Sequence, residues 1–220
     1  MMIVGLTGSI GMGKSTAAAM LRQMGVPVYD ADAAVHALQA KDGEALPGIE
    51  AAFPGVVKEG VLDRQALGAR VFGNKQALRK LEAIVHPLVG RQQRAFLKRA
   101  AQRREKLVVL DIPLLFEGLG DLRVDATLVV SAPVFLQRHR VMARPGMTAD
   151  RLDGILRQQV PDVLKRHKAD IVIPTGLGLA PTRAALEKAV AELRTRRGRF
   201  WPPNPWREKF TGQLARARRK

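Results

Sequence analysis

The sequence predicts an α/β fold: a parallel five-stranded sheet with helices on both faces, plus an inserted helical subdomain and a lid. Three observations point there. Short apolar runs alternate with helix-forming segments through much of the 220 residues. A glycine-rich turn joins the first apolar run to the first helix. Residues 41–105 break the alternation with segments of helical spacing.

Met2-Ile3-Val4-Gly5-Leu6-Thr7 is the first apolar run and reads as a buried strand. Gly8-Ser9-Ile10-Gly11-Met12-Gly13-Lys14-Ser15-Thr16 follows. Its form, Gly, four residues, Gly-Lys-Ser, is that of the loop that cradles phosphates in nucleoside-triphosphate enzymes. Gly8, Gly11 and Gly13 let backbone N–H groups approach a polyphosphate, and Met12 belongs to the same nucleotide-binding loop. Lys14 is placed to reach the β- and γ-phosphates, and the Ser15 hydroxyl to ligate Mg²⁺. From Thr16 to Met24 the residues are strong helix formers, and Gly25 is suited to end the helix. Its N-terminus adds partial positive charge to the anion site. ATP and Mg²⁺ are the expected cofactors.

Val26–Tyr29 reads as a second strand, ending at Asp30-Ala31-Asp32. In an open α/β sheet, ligands bind beyond the carboxyl ends of the strands, so two carboxylates there are expected to face the phosphate loop. Asp32 is assigned the functional role. Asp30 is either an N-cap for a helix over Ala33–Leu38 or a water-mediated metal contact. Within 41–105, Pro47–Phe53 is a short amphipathic piece and Phe53-Pro54-Gly55 a turn. Asp63 is placed to cap a helix carrying Leu67, Val71 and Phe72 on one side. Leu78, Leu81, Ile84, Val85, Leu88 and Val89 recur at helical spacing on a helix running towards Arg104. Pro87 is expected to kink that helix and free a carbonyl near His86. The region suits the cover of a second substrate; His86 is either structural or a substrate contact.

Leu107–Asp111 is a third strand with an acid at its carboxyl end, the pattern of a carboxylate that holds Mg²⁺ through water. In the following Ile112–Glu117, Glu117 is either a solvated acid or a substrate contact. Ala126–Val130 is a fourth strand, followed by a helix from Pro133. Arg140 on that helix and Arg144 in the loop after it are assigned to a lid over about 138–160, closed by a helix that Thr148 caps. Asp170–Ile173 is the fifth strand. Pro174–Gly178 then turns, where a purine base could rest, into a last helix from Pro181 to about Arg196.

Composition narrows the classes. Hydrophobic content of 46% suits a globular protein, and no apolar run approaches membrane-span length. The N-terminus lacks a signal peptide's charged start, which makes a cytoplasmic enzyme the expectation. Without cysteine there are no disulfides or thiolate metal sites. Net charge is +17, of which Arg194–Lys220 carries +9, with ten Lys/Arg against Glu208. The body's remainder suits anionic substrates. Residues 197–220, with both tryptophans, are expected to form a flexible basic extension, and nucleic acid is a disfavoured partner. A GTP switch needs Asn-Lys-x-Asp, and Asn74-Lys75-Gln76-Ala77 has alanine at the acid's place. A hydrolysing ATPase usually carries glutamate after the strand-end acid, where Ile112 stands. A small-molecule kinase remains, in which Asp32 takes a proton from an acceptor hydroxyl.

The chain resembles the dephospho-coenzyme A kinases, of the phosphate-loop kinase superfamily, from about Ile3 to Leu193. The likeness rests on Leu6–Thr16, Asp30-Ala31-Asp32 with His36, Asp63-Arg64-x-x-Leu67 and Val71-Phe72. It continues through Leu81-Glu82-x-Ile84-x-His86-Pro87, Asp111–Glu117 and Gln137-x-x-Arg140. The resemblance implies a kinase domain over 1–196 that moves the ATP γ-phosphate to the ribose 3′-hydroxyl of dephospho-coenzyme A, the last step of coenzyme A synthesis. It implies Asp32 as general base, Lys14, Arg140 and Arg144 as the other catalytic residues, and Gly11–Thr16 as the ATP loop. His36, Arg64, His86 and Glu117 fall to the acceptor side, and Ser15 and Asp111 to the metal. The expected state is a monomer or weak homo-oligomer. The alternatives are a nucleoside- or nucleotide-type kinase and a nucleic-acid-associated ATPase. Ile173-Pro174-Thr175-Gly176 departs from the Asn or Gly frequent after the family's fifth strand, and the tail lies outside the pattern.

Overall fold

All six residues of Met2–Thr7 are buried, the pattern of a strand covered on both faces. This strand, β1, is the centre of a five-stranded sheet. The computed structural model describes residues 1–203. Its chain divides into two compact units, one of Met1–Tyr29 with the chain from Ala100 onward, the other of Asp30–Arg99.

The first unit carries the sheet. With β2 (Val28–Asp30), β5 (Leu107–Asp111), β6 (Ala126–Ser131) and β7 (Ile171–Pro174), the strand order is β2-β5-β1-β6-β7. β1 pairs in parallel with β5 and β6, and β6 with β7. The sequence expectation of a parallel α/β sheet therefore holds, with strand ends shifted by a residue or two. Its core joins Leu6, Met12, Leu21, Leu128, Ile173 and Leu186. The flanking helices include α1 (Lys14–Gln23) and α9 (Leu179–Thr195). α1 begins at Lys14, two residues earlier than expected, so Lys14 and Ser15 sit in its first turn. Between β6 and β7 run α6 (Val134–Met142), α7 (Ala149–Gln158) and α8 (Asp162–Lys168). Thr148 caps α7 as expected, accepting from the Arg151 N–H at 3.2 Å.

The second unit has its own core of Leu38, Ile49, Phe53, Leu67 and Val85. It starts at Asp30 rather than near 41, because α2 (Ala31–Leu38) packs Leu38 into this core. α3 (Leu46–Ala52) leads to a two-stranded hairpin of β3 (Val57–Lys58) and β4 (Val61–Leu62), absent from the sequence reading. The Glu50 carboxylate braces it, accepting from the Gly55 N–H at 2.6 Å and the Val57 N–H at 2.8 Å. Those bonds, Gly55 first, hold its acid below the usual carboxylate range.

Asp63 caps α4 (Arg64–Val71), taking the Ala66 N–H at 2.9 Å. Leu67 is buried as expected, but Phe72 is 89% exposed, since it lies past the last helical turn. α5 (Lys75–Gln102) continues through Pro87 as one helix. The carbonyl deprived of an N–H partner there is four residues earlier, at Ala83, not beside His86.

At the other end of the chain, Asp125 accepts the backbone N–H groups of Ile3, Arg199 and Phe200. The chain thus stays on the first unit beyond 196, where the extension was expected to begin. The rest of that expectation, for 204–220, lies outside the described residues.

Candidate active site

The glycine turn between β1 and α1 is shaped by close approach. A Cβ on Gly8 would lie 2.4 Å from Val130 Cγ2 and 2.9 Å from the Val130 carbonyl oxygen. Gly13 has φ +86°, in the left-handed region where a side chain is strained. Neither position admits another residue without moving β6 or the start of α1.

Lys14 Nζ stands 2.6 Å from Asp111 Oδ1 at the carboxyl end of β5, with the side chains 18% and 4% exposed. The residue expected to grip the triphosphate and the residue expected to hold its metal are thus adjacent. Ser15 is exposed beside them in sequence. Among the described residues no group of three His, Cys, Asp or Glu side chains forms a metal cage. Ser15 and Asp111 instead offer the oxygen donors that suit a hard cation completing its shell with phosphate and water. The residues fit Mg²⁺ on that chemistry.

Arg140 lies against the same turn. Its Nη2 donates to the Thr175 carbonyl at 2.7 Å, and its Nη1 is 3.5 Å from the Gly11 carbonyl. Arg144 is exposed in the loop between α6 and α7. Three residues that the sequence reading assigned no role in the site hold the turn's backbone. Thr175 Oγ1 donates to the Met12 carbonyl at 2.7 Å. Gln137 Nε2 donates to the Ile10 carbonyl at 2.8 Å, and Gln159 Oε1 accepts the Ile10 N–H at 3.1 Å. Because a trans peptide is planar, pinning the Ile10 and Met12 carbonyls turns the Gly11 and Gly13 N–H groups the opposite way. Only Gln137 carried a signal, through the spacing Gln137-x-x-Arg140. Thr175→Val is expected to strand the Met12 carbonyl, costing about 1–3 kcal/mol of stability and weakening ATP binding, checked by thermal melts and calorimetry.

Glu117 was expected on the acceptor side or in solvent. In the structure its Oε1 accepts the Val160 N–H at 2.7 Å and sits 2.9 Å from Nζ of Lys165, whose side chain is fully buried. A buried ammonium needs that counter-charge, which accounts for the position of Glu117 inside the first unit.

The second unit carries the other predicted residues. Asp30 caps α2, accepting from the Ala33 N–H at 2.9 Å, the capping half of the earlier alternative. Asp32 follows in the first helical turn rather than at the strand's end, and is exposed. His36, one turn on, meets Arg64, whose Nη1 donates to Nδ1 at 3.0 Å. A guanidinium only donates, so this contact requires Nδ1 to be the imidazole's acceptor nitrogen. His86 is exposed on α5.

A family model described as dephospho-CoA kinase matches residues 2–179. The chain belongs to the dephospho-CoA kinase family. Among curated family members, the dephospho-CoA kinase of Paramagnetospirillum magneticum is 64% identical over 166 residues, 76% of this chain and 78% of that protein. That of Mesorhizobium japonicum is 55% identical over 198 residues, 90% of this chain and all of that protein. Of solved structures, a Thermus thermophilus protein superposes with a TM-score of 0.76 at 38% identity, covering 87% of this chain and 96% of that one. The Campylobacter jejuni dephospho-CoA kinase does so with 0.59 at 26% identity, covering 88% and 98%. The family model ends at the first residue of α9 and leaves out the rest of that helix and the basic tail.

Proposed function

We propose that this chain transfers the γ-phosphoryl group of ATP to the ribose 3′-hydroxyl of dephospho-coenzyme A, giving coenzyme A. The observation that carries the reading is Lys14 held 2.6 Å from Asp111 at the glycine turn, in a chain of this family. Lys14 binds the β- and γ-phosphates, and the N–H groups of the turn bind their remaining oxygens. Mg²⁺ would be held by the Ser15 hydroxyl and, through water, by Asp111; when bound it neutralises charge on the phosphate oxygens. Arg140 and Arg144 face the developing charge as lid arginines.

Asp32 takes the proton of the attacking hydroxyl. Arg64, oriented by His36, and His86 bind the acceptor's anionic groups, whereas the Glu117 carboxylate is engaged by Lys165 and serves the first unit. A cleft of about 750 Å³ adjoins the turn, lined by Ser9, Pro133, Gln137, Pro174 and Leu177, and is large enough for the base of ATP. With these substrates the enzyme works in the cytoplasm; among the described residues no helix is long and apolar enough to cross a membrane.

A coupled assay tests the reading. ADP release is expected to depend on dephospho-coenzyme A and to yield coenzyme A by mass spectrometry. Release driven instead by nucleosides, or by RNA or DNA, would establish one of the other classes.

A further inference from the structure

The glycine turn is gripped from the rear of the lid, through a residue to which the proposed reaction assigns no role. α7 ends at Gln158, and Gln159 leaves it in an extended conformation. Gln159 Oε1 accepts the Ile10 N–H at 3.1 Å while Gln137 holds the Ile10 carbonyl from the other side at 2.8 Å. Gln137 is 4% exposed and belongs to α6, where it can move little. Gln159, by contrast, belongs to a short junction between two helices, and something must fix that junction.

Glu117 does so. One of its oxygens accepts the Val160 N–H at 2.7 Å and forms an ion pair with the Lys165 ammonium at 2.9 Å, and so gathers the chain on both sides of Pro161. Pro161 starts α8 with its ring-fixed φ, and its carbonyl accepts the Lys165 N–H at 3.0 Å. Farther along, Asp162 Oδ2 accepts from Ser131 Oγ at the end of β6, at 2.7 Å. The junction is thereby tied both to the loop after β5 and to the sheet.

We propose that Gln159 is a positioning residue of the phosphate loop, and that the buried Glu117–Lys165 ion pair is the anchor that keeps it on Ile10. The inference rests on the glycine turn being the ATP site, not on the identity of the acceptor. Gln137 orients the Gly11 N–H through the Ile10 carbonyl, and Gln159 fixes the preceding Ser9–Ile10 peptide through its N–H, so two successive peptides of the turn are set before nucleotide arrives. Loosening the Gln159 contact frees the Ser9–Ile10 peptide to rotate and raises the cost of ordering the turn on binding.

Calorimetry of the full chain with a non-hydrolysable ATP analogue and Mg²⁺ tests this without any acceptor. Gln159→Met keeps the bulk and removes the acceptor oxygen. It is expected to weaken the analogue about tenfold, the value of one hydrogen bond, and to speed amide exchange at Ile10. The melting temperature should fall only slightly, because Ile10 is half-buried and water can replace the lost acceptor. Lys165→Met paired with Glu117→Gln removes the ion pair without leaving a lone buried charge, and should weaken the analogue similarly. Adding Gln159→Met to that pair should then cost little more, because both changes act through one contact. Analogue affinity within about twofold of the parent in Gln159→Met, or fully additive losses, would overturn the proposal. Should the paired variant fail to fold, Ile10 exchange in Gln159→Met alone decides it: unchanged protection overturns the inference. A parent protein that binds the analogue but shows no turnover with dephospho-coenzyme A would count against the assigned acceptor and leave this inference standing.

Discussion

Asp32→Asn is expected to lower turnover on the order of 10³-fold while leaving ATP affinity close to that of the parent. Asparagine keeps the shape and hydrogen-bonding size of the side chain in the first turn of α2, so the helix and its Asp30 cap should persist. What it loses is the capacity to take a proton. A general base acts in the transition state, so the loss should fall on kcat rather than on the KM for ATP. Rapid-quench measurement of the chemical step, beside equilibrium binding of ATP, checks both halves. Turnover near that of the parent would remove Asp32 as the base.

Lys14→Ala should be the other severe change, for two separable reasons. In the proposed reaction the ammonium binds charge that develops on the transferring group, and loss of such a preorganised contact costs about 10²–10³ in turnover. It is also the counter-charge of Asp111, whose side chain is 4% exposed. Breaking a buried pair from one side costs on the order of 3–5 kcal/mol, so the melting temperature should fall as well. Lys14→Met combined with Asp111→Asn separates the effects. The neutral pair is expected to recover much of the stability and none of the turnover, as read by thermal melts and the coupled assay. Recovery of activity in the double variant would mean that neither residue touches the phosphates.

Much of the first unit was legible because its signals are local. A strand buried on both faces reads as an unbroken apolar run, and a glycine turn must carry its own glycines; both were visible in Met2–Gly13. Asp63 and Thr148 were recognisable as caps because the cap and the N–H it accepts lie three residues apart. The residues that steady the turn were hidden for the opposite reason. Thr175 and Gln159 meet Met12 and Ile10 across separations of 163 and 149 residues, and nothing around either residue reports that partner. Glu117 likewise reads as solvated or ligand-facing until Lys165, 48 positions on, is seen beside it. The hairpin of the second unit escaped because strands of two residues are too short to show alternation. The start of that unit was misplaced because α2 follows β2 directly, and only its packing shows which core it serves.

The position of β1 also sets how the enzyme loses function on warming. Openings of a folded protein begin where hydrogen bonds are exposed, here at β2, three residues long, and at β7 on the opposite margin. The nucleotide turn hangs from the strand farthest from both margins, but Thr175, which braces it, follows the marginal β7 directly. Opening at the β2 rim should therefore spare nucleotide binding, whereas opening at the β7 rim should slacken the cradle before the whole sheet gives way.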